Sequence, residues 1–416
     1  MRNGLPHASL IAFLFIVLLA GHLDAAEAGG VAGLHQKVGV DQSDPIAVLQ
    51  DQILKGRASL TFKPGHGFLE DLLRQLRVSA QSQILVFSKT SLQAPLIGPE
   101  APRAIYFNDR VAIGSVQNAP VLEIMAPASN GYVFYTLENT DAGKPRFTKY
   151  EGADCGRCHG SDSLSPGLIV ASTPVRSDGT PVFIPHDGPA RLFEFTDQTT
   201  PISDRWGGWY VTGTHDGRPH LGNGAVVFDD FGERSIQRPD ASAATSLAPY
   251  FDVGKYLQPT SDIVALMVFE HQARMTNLLL EAAVVSARTQ HLSPAAREEI
   301  LAYMLFSQEA PLLGPVTGGK AFQEAFSNEA VRDTARRSLR DFDLRTRLFK
   351  YPLSYMIYSP IFDALPVFAK QDVYRRLLEI LEGRDNTQPF AHLTADDRRN
   401  TLEILRATKP DFAGAF

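Results

Sequence analysis

Five consecutive residues, Cys155-Gly156-Arg157-Cys158-His159, have the types and the spacing that attach a haem covalently. Two thiols separated by two residues can add to the two vinyl groups of one haem and form thioethers. The adjacent histidine is then held beneath the iron, where its imidazole can be an axial ligand. The pattern predicts one covalent haem c, bound through Cys155 and Cys158, with His159 as the proximal iron ligand.

Other chemistries also use a C-x-x-C pair, namely redox dithiols, zinc sites and disulfides. The chain has only 2 cysteines, so a second pair that would complete a four-ligand zinc site is missing. A disulfide is the main alternative, because two cysteines in an oxidising compartment can pair. The histidine directly after the second cysteine favours haem attachment over that alternative.

The N-terminal residues have the three parts of a secretory signal peptide. Arg2 supplies a positive charge, Leu10 to Ala20 is apolar, and Ala26-Glu27-Ala28 fits a small-residue cleavage site. The apolar run is short for a membrane span, although an uncleaved anchor is the alternative. We therefore expect an exported, periplasmic protein that has no stable membrane anchor after cleavage of the signal.

The composition is that of a globular, mildly acidic protein. The formal net charge of −6 argues against nucleic acid as a partner. The hydrophobic content of 44% is ordinary for a packed domain. With 416 residues, the chain greatly exceeds the roughly 100 residues typical of one small domain. Two or three domains, or one elaborate domain, are expected.

The pattern of apolar residues changes along the chain from β-prone to helical. Short apolar, β-prone segments separated by turn residues predict an antiparallel β-meander over residues 103–138. Helical spacing predicts a helix from Ser261, as its N-cap, to about Arg288, and another over residues 321–339. The predicted class is α+β, with an antiparallel β-rich N-terminal half carrying the haem site and a mostly α-helical C-terminal half. The predicted divisions are residues 1–28 (signal peptide), 29–140 (N-terminal helix plus β-meander), 141–258 (haem-binding region with β-hairpins) and 259–416 (helical C-terminal region).

A stretch rich in glycine and tryptophan, residues 203–224, contains two candidates for the sixth iron ligand, His215 and His220. The tryptophans and the Gly207-Gly208 pair suit the wall of a haem pocket, since glycine permits close backbone approach. The alternative is a hairpin whose histidines bond to backbone or to water.

The long predicted helix supplies a third candidate. His271 shares one face of that helix with Met267 and Met275, because the three residues follow at intervals of four. Histidine and methionine both ligate haem iron, whereas buried methionines more often fill a core. Arg146 and Arg157 could pair with haem carboxylates, although ordinary surface arginines are the more favoured interpretation.

Several strings resemble those of a bacterial family of exported cytochrome c domain-containing proteins with a single C-x-x-C-H motif. The resemblance covers most of the mature chain, and it implies an exported protein with one haem but no particular reaction. The chain resembles no typical small cytochrome c beyond the five-residue motif, because the next methionine after His159 is Met267. The strings are PRAIYFND (102–109), VFYTLE (133–138), CGRCH (155–159), RWGGWYVTGTH (205–215), HLGN (220–223), FEHQARMTNL (269–278) and FDLRTRLFKYPLSYMIYSPIFDALP (342–366).

Three functions are compatible with these features. Electron transfer with a redox partner protein in the periplasm is the first, and it requires a six-coordinate iron. A haem enzyme acting on peroxide or another small oxidant is the second, and it requires an open distal position with a group that moves protons. A haem-based sensor or interaction module is the third. Whether the protein is an enzyme is left open by the sequence, since the helical half carries no common catalytic motif.

Overall fold

An antiparallel sheet occupies the N-terminal half of the chain and helices occupy the C-terminal half, which confirms the predicted α+β class. The computed structural model describes residues 44–128, 131–140, 143–150, 159, 167–182, 194–215, 219–228, 234–237 and 244–415. Within this described part, no helix is both long enough and apolar enough to cross a membrane.

The described strands form one large sheet and two small ribbons. The large sheet has seven antiparallel strands in the order β6-β5-β4-β3-β2-β1-β9. Strands β2 to β5 pair in chain order, which confirms the meander predicted over residues 103–138. The strands are β1 (Ile84–Val86), β2 (Arg103–Asn108), β3 (Val111–Ser115), β4 (Val121–Ala128), β5 (Gly131–Glu138), β6 (Phe147–Tyr150), β7 (Ala171–Ser172), β8 (Glu194–Phe195), β9 (Trp209–Tyr210), β10 (Ala225–Phe228) and β11 (Arg234–Gln237).

Two short helices precede the strands of the large sheet in the chain, and the other helices follow them. The longest described helix is α3, and Asp262, directly before it, forms an isolated β-bridge with Thr212. The helices are α1 (Pro45–Leu54), α2 (Leu69–Gln75), α3 (Ile263–Thr289), α4 (Pro294–Met304), α5 (Lys320–Asn328), α6 (Pro360–Asp363), α7 (Val367–Leu381), α8 (Ala395–Thr408) and α9 (Pro410–Ala413).

Both faces of the large sheet are buried. Successive side chains of a strand point to opposite faces, and β2 shows the consequence. Ile105 and Phe107 join the apolar cluster that contains α3, whereas Ala104 and Tyr106 join the cluster formed with α1 and α2. The sheet therefore lies between the long helix on one side and the first two helices on the other.

Asp262, and not the predicted Ser261, is the N-cap of α3. The Asp262 carboxylate accepts from the backbone amides of Val264 (2.9 Å) and Ala265 (3.0 Å). The Ser261 hydroxyl instead accepts from the backbone amide of Leu85 in β1, at 2.8 Å. Serine and aspartate are both common N-cap residues, and here the Ser261 side chain is engaged by the sheet while Asp262 caps the helix.

The helix predicted over residues 321–339 is wrong in its extent, because α5 ends at Asn328. The following residues form a turn that is closed by ion pairs. Arg337 pairs with Asp333 at 2.7 Å and Arg332 with Asp341 at 2.9 Å. These side-chain contacts stabilise a non-helical path that helical spacing alone does not reveal.

Replacement of Asp262 by alanine is expected to lower the free energy of unfolding by about 2 kcal/mol, at the upper end for a lost cap. The carboxylate is 3% exposed, and its second oxygen also accepts from the backbone amide of Gly319. Urea unfolding would measure the loss. Ser293→Ala removes the cap of α4 at an exposed terminus and should cost less. Equal losses in the two variants would contradict the added role of the Gly319 contact.

Candidate haem-attachment site

His159 is the one residue of the C-x-x-C-H motif that the structure describes, since Cys155 and Cys158 lie outside the described residues. Its Nδ1 atom lies 2.6 Å from the backbone carbonyl oxygen of Gly167. A carbonyl oxygen only accepts, so Nδ1 carries the hydrogen and donates it. Nε2 of the neutral ring then keeps its lone pair. A metal-ligating histidine usually has this arrangement, with its other nitrogen donating to a backbone carbonyl or a carboxylate.

The surroundings of His159 keep its ring neutral. The imidazole is half-buried, and the ring of Phe134 in β5 lies beside it with a centroid distance of 5.1 Å. Burial lowers the pKa of His159, and the Gly167 carbonyl opposes that effect by raising it. Arg103 lowers the same pKa and Glu123 raises it. A neutral imidazole is the form that binds iron.

Arg103 and Glu123 form an ion pair of 2.7 Å between β2 and β4. Because both groups act electrostatically on His159, this pair belongs to its surroundings, and motif-based reasoning did not find it. The two arginines that the sequence suggested as carboxylate partners are placed differently. Arg146 is 75% exposed and lies 3.6 Å from Glu138, which matches an ordinary surface arginine, and Arg157 lies outside the described residues.

The chain that follows the motif is fastened to α3 at Leu168. The side-chain oxygen of Asn277 accepts from the Leu168 amide at 3.0 Å, and its nitrogen donates to the Leu168 carbonyl at 2.9 Å. The Tyr132 hydroxyl donates to the same Asn277 oxygen at 2.7 Å. Asn277 is not among the candidate residues that the sequence suggested. A polar amide within a largely apolar helix was the available signal, because a buried amide needs partners.

His215 and His220 lie together, as their proximity in sequence suggested. Their ring centroids are 5.4 Å apart, both residues are buried, and Trp206 meets His220 edge to face at 5.2 Å. The amide of Gly222 donates to Nδ1 of His220 at 3.0 Å. This contact places the hydrogen of a neutral His220 ring on Nε2, so that ring would have to change tautomer to ligate iron through Nε2.

His271 lies in the core, fully buried, with both ring nitrogens hydrogen-bonded. Nδ1 lies 2.6 Å from the side-chain oxygen of Gln198, and Nε2 lies 2.7 Å from the Ser354 hydroxyl. The ring stacks on Phe306 at 4.7 Å. Burial lowers the pKa of His271 to about 3. In this arrangement neither nitrogen is available to an iron.

The contacts of the described residues do not identify which of the three candidates is the distal ligand. Within the described ranges, His159 contacts Phe134 and Gly167, whereas His215 and His220 contact each other and His271 lies elsewhere. The same part of the chain holds no cluster of three or more histidine, cysteine or acidic residues suited to a metal. The sixth ligand stays a prediction. Met267 and Met275 are 4% and 0% exposed in the core, as expected for packing residues.

Comparison of this chain with protein-family models, curated proteins and solved structures finds no match. The motif and the geometry around His159 are therefore the basis on which a function can be proposed.

Proposed function

We propose that this protein is an exported c-type cytochrome with one haem, attached through Cys155 and Cys158 and ligated by His159. The observation that supports this proposal best is the hydrogen bond from His159 Nδ1 to the Gly167 carbonyl, at 2.6 Å. It leaves Nε2 as the ligating atom and fixes the direction of the ring. A disulfide between the two cysteines would not require any particular tautomer of the neighbouring histidine.

Electron transfer in the periplasm is the role that we assign to the bound haem, which supplies one-electron chemistry. The residues of this chain hold the His159 imidazole neutral and partly shield it from water, with Phe134 on one side. A redox partner protein is required, and the resemblance to exported single-haem proteins supports the same role. His215 and His220 remain the proposed choices for the distal ligand, whereas both ring nitrogens of His271 are hydrogen-bonded within the core.

Haem attachment is tested by the mass and colour of the mature protein made in a host that matures c-type cytochromes. We expect one covalent haem in the wild type that survives denaturation, and none in Cys155→Ala/Cys158→Ala. His159→Ala should change the absorption spectrum of the reduced protein by removing the proximal ligand. His291→Ala, at an exposed position, is the matched control and should leave the spectrum unchanged. A wild type with only the polypeptide mass would overturn the proposal.

Measuring carbon monoxide binding to the haem distinguishes an electron carrier from the enzymatic alternative. A six-coordinate, low-spin iron that binds carbon monoxide slowly or not at all is the result expected for an electron carrier. A high-spin iron that binds it readily has an open distal position. That result would favour a haem enzyme acting on peroxide or another small oxidant and would contradict the simple carrier.

A further inference from the structure

We infer that Asn277 is a positioning residue for the proximal histidine. Its side chain fastens a short segment of the chain to helix α3, and the Gly167 carbonyl in that segment accepts the hydrogen bond from His159. We call this segment, Gly167 and Leu168, the strap. The inference rests on the proposed function and goes beyond it, since neither the motif nor the haem hypothesis assigns a role to α3.

Asn277 holds the strap as a neighbouring β-strand would. Its side-chain oxygen accepts from the Leu168 amide and its nitrogen donates to the Leu168 carbonyl, at 3.0 and 2.9 Å. The amide orientation is determined by these partners, because a flipped amide would place a donor against the Leu168 N–H. Asn277 is 8% exposed, so water competes little for these bonds.

Tyr132 supports the strap from the sheet side. Its hydroxyl donates to Asn277 at 2.7 Å, and burial raises the pKa of Tyr132 far above its ordinary value, so the hydroxyl stays a donor. Its ring lies directly against Gly167, where a side chain on that residue would collide with it. The strap is thus held between a strand of the sheet and the long helix.

The position of the strap decides the strength of the hydrogen bond to His159. The Gly167 carbonyl accepts from Nδ1, and this bond raises the electron-donating power of Nε2 and fixes the ring orientation. A strap that moves away weakens the bond and lowers the basicity of the ligand. A less basic ligand stabilises oxidised iron less, so the reduction potential should rise.

The test uses Asn277→Leu, Asn277→Asp and Tyr132→Phe in the full-length haem protein. Asn277→Leu removes all three hydrogen bonds, and Asn277→Asp keeps the two acceptor contacts. We expect Asn277→Leu to raise the reduction potential by about 59 mV, which corresponds to a tenfold change in the relative stability of the two oxidation states. Tyr132→Phe should raise the reduction potential by less. The double variant Asn277→Leu/Tyr132→Phe should raise it by less than the sum of the two single shifts.

A second readout does not depend on the haem. Amide hydrogen exchange of the peptide that contains Leu168 should be at least tenfold faster in Asn277→Leu, with or without haem attached. Leu279→Ala is the matched control, because it removes a fully buried side chain of the same helix and no hydrogen bond to the strap. It should lower stability and leave both the potential and the exchange of Leu168 unchanged.

The outcomes separate this inference from the proposed function. A wild type that carries haem, together with an Asn277→Leu potential equal to that of Leu279→Ala, would overturn the positioning role and leave the cytochrome proposal standing. A wild type without haem would overturn both. If Asn277→Leu does not fold, Tyr132→Phe and Asn277→Asp decide, and a potential unchanged in both would contradict the inference.

Discussion

Replacement of Arg205 by methionine is expected to lower the free energy of unfolding by about 3–5 kcal/mol, because it leaves a carboxylate buried without its cation. Arg205 and Glu270 form an ion pair of 3.0 Å, and their side chains are 3% and 0% exposed. Burial raises the pKa of Glu270, and Arg205 opposes that effect by lowering it. Arg205 also donates to the backbone carbonyls of Thr200 (2.6 Å) and Gln198 (3.1 Å), and these bonds would be lost with it.

Two further variants define the origin of this effect. Arg205→Met/Glu270→Leu should recover much of the loss, since an apolar pair often replaces a buried ion pair at little cost. Arg274→Met breaks the exposed ion pair between Arg274 of α3 and Glu299 of α4, which are 2.6 Å apart, and should cost less than about 1 kcal/mol. Denaturant unfolding at neutral pH measures all three. A loss in Arg205→Met no greater than in Arg274→Met would contradict the assignment.

The stability of Arg205→Met should also depend on pH in a direction set by Glu270. Without its cation, the buried Glu270 carboxyl would have a higher pKa in the folded variant than in the unfolded chain. The folded variant then binds more protons than the unfolded one over that interval, so its stability falls as the pH rises through it. Glu270→Gln in the same background should remove this dependence.

Acid should destabilise the wild-type protein through His271. Its pKa is about 3 in the folded state and about 6.5 in an unfolded chain. Between these values the unfolded chain binds the extra proton, so stability increases with pH across the interval and decreases as the pH falls. At about 1.4 kcal/mol for each pKa unit, the contribution is on the order of 5 kcal/mol.

His271→Phe isolates that contribution. It retains an aromatic ring against Phe306 but leaves Gln198 and Ser354 without their partner, which should cost about 2–4 kcal/mol at pH 7. The difference in stability between wild type and variant should shrink as the pH is lowered from 6.5 to 4.5. His291→Phe, at an exposed position, should show no such change. A constant difference over this range would contradict the assigned titration.

The same variant also tests the distal-ligand hypothesis. Because both nitrogens of His271 are hydrogen-bonded within the core, we expect the haem spectrum of His271→Phe to match that of the wild type. A changed spectrum would instead show that the core opens to the haem in the holoprotein and would restore His271 as the sixth ligand. His215→Ala and His220→Ala complete the series.

Short-range patterns predicted the elements of this fold well. Apolar, β-prone runs separated by polar turn residues located the β-meander, whose strands pair in chain order. Ser293 caps α4 as its serine-proline signal indicates. The failures lie at the start of α3, where Asp262 and not Ser261 is the N-cap, and at the end of α5, which stops at Asn328.

The sequence by itself determined the α+β class and the motif that predicts a haem, because both depend on residues close together in the chain. Only the tertiary structure decided what holds His159. The contact from Tyr132 to Asn277 joins residues 145 positions apart, and that from Asn277 to Leu168 joins residues 109 positions apart. Such pairs become neighbours only when the long helix packs across the sheet, and no local periodicity encodes which of its buried polar residues meets which backbone group.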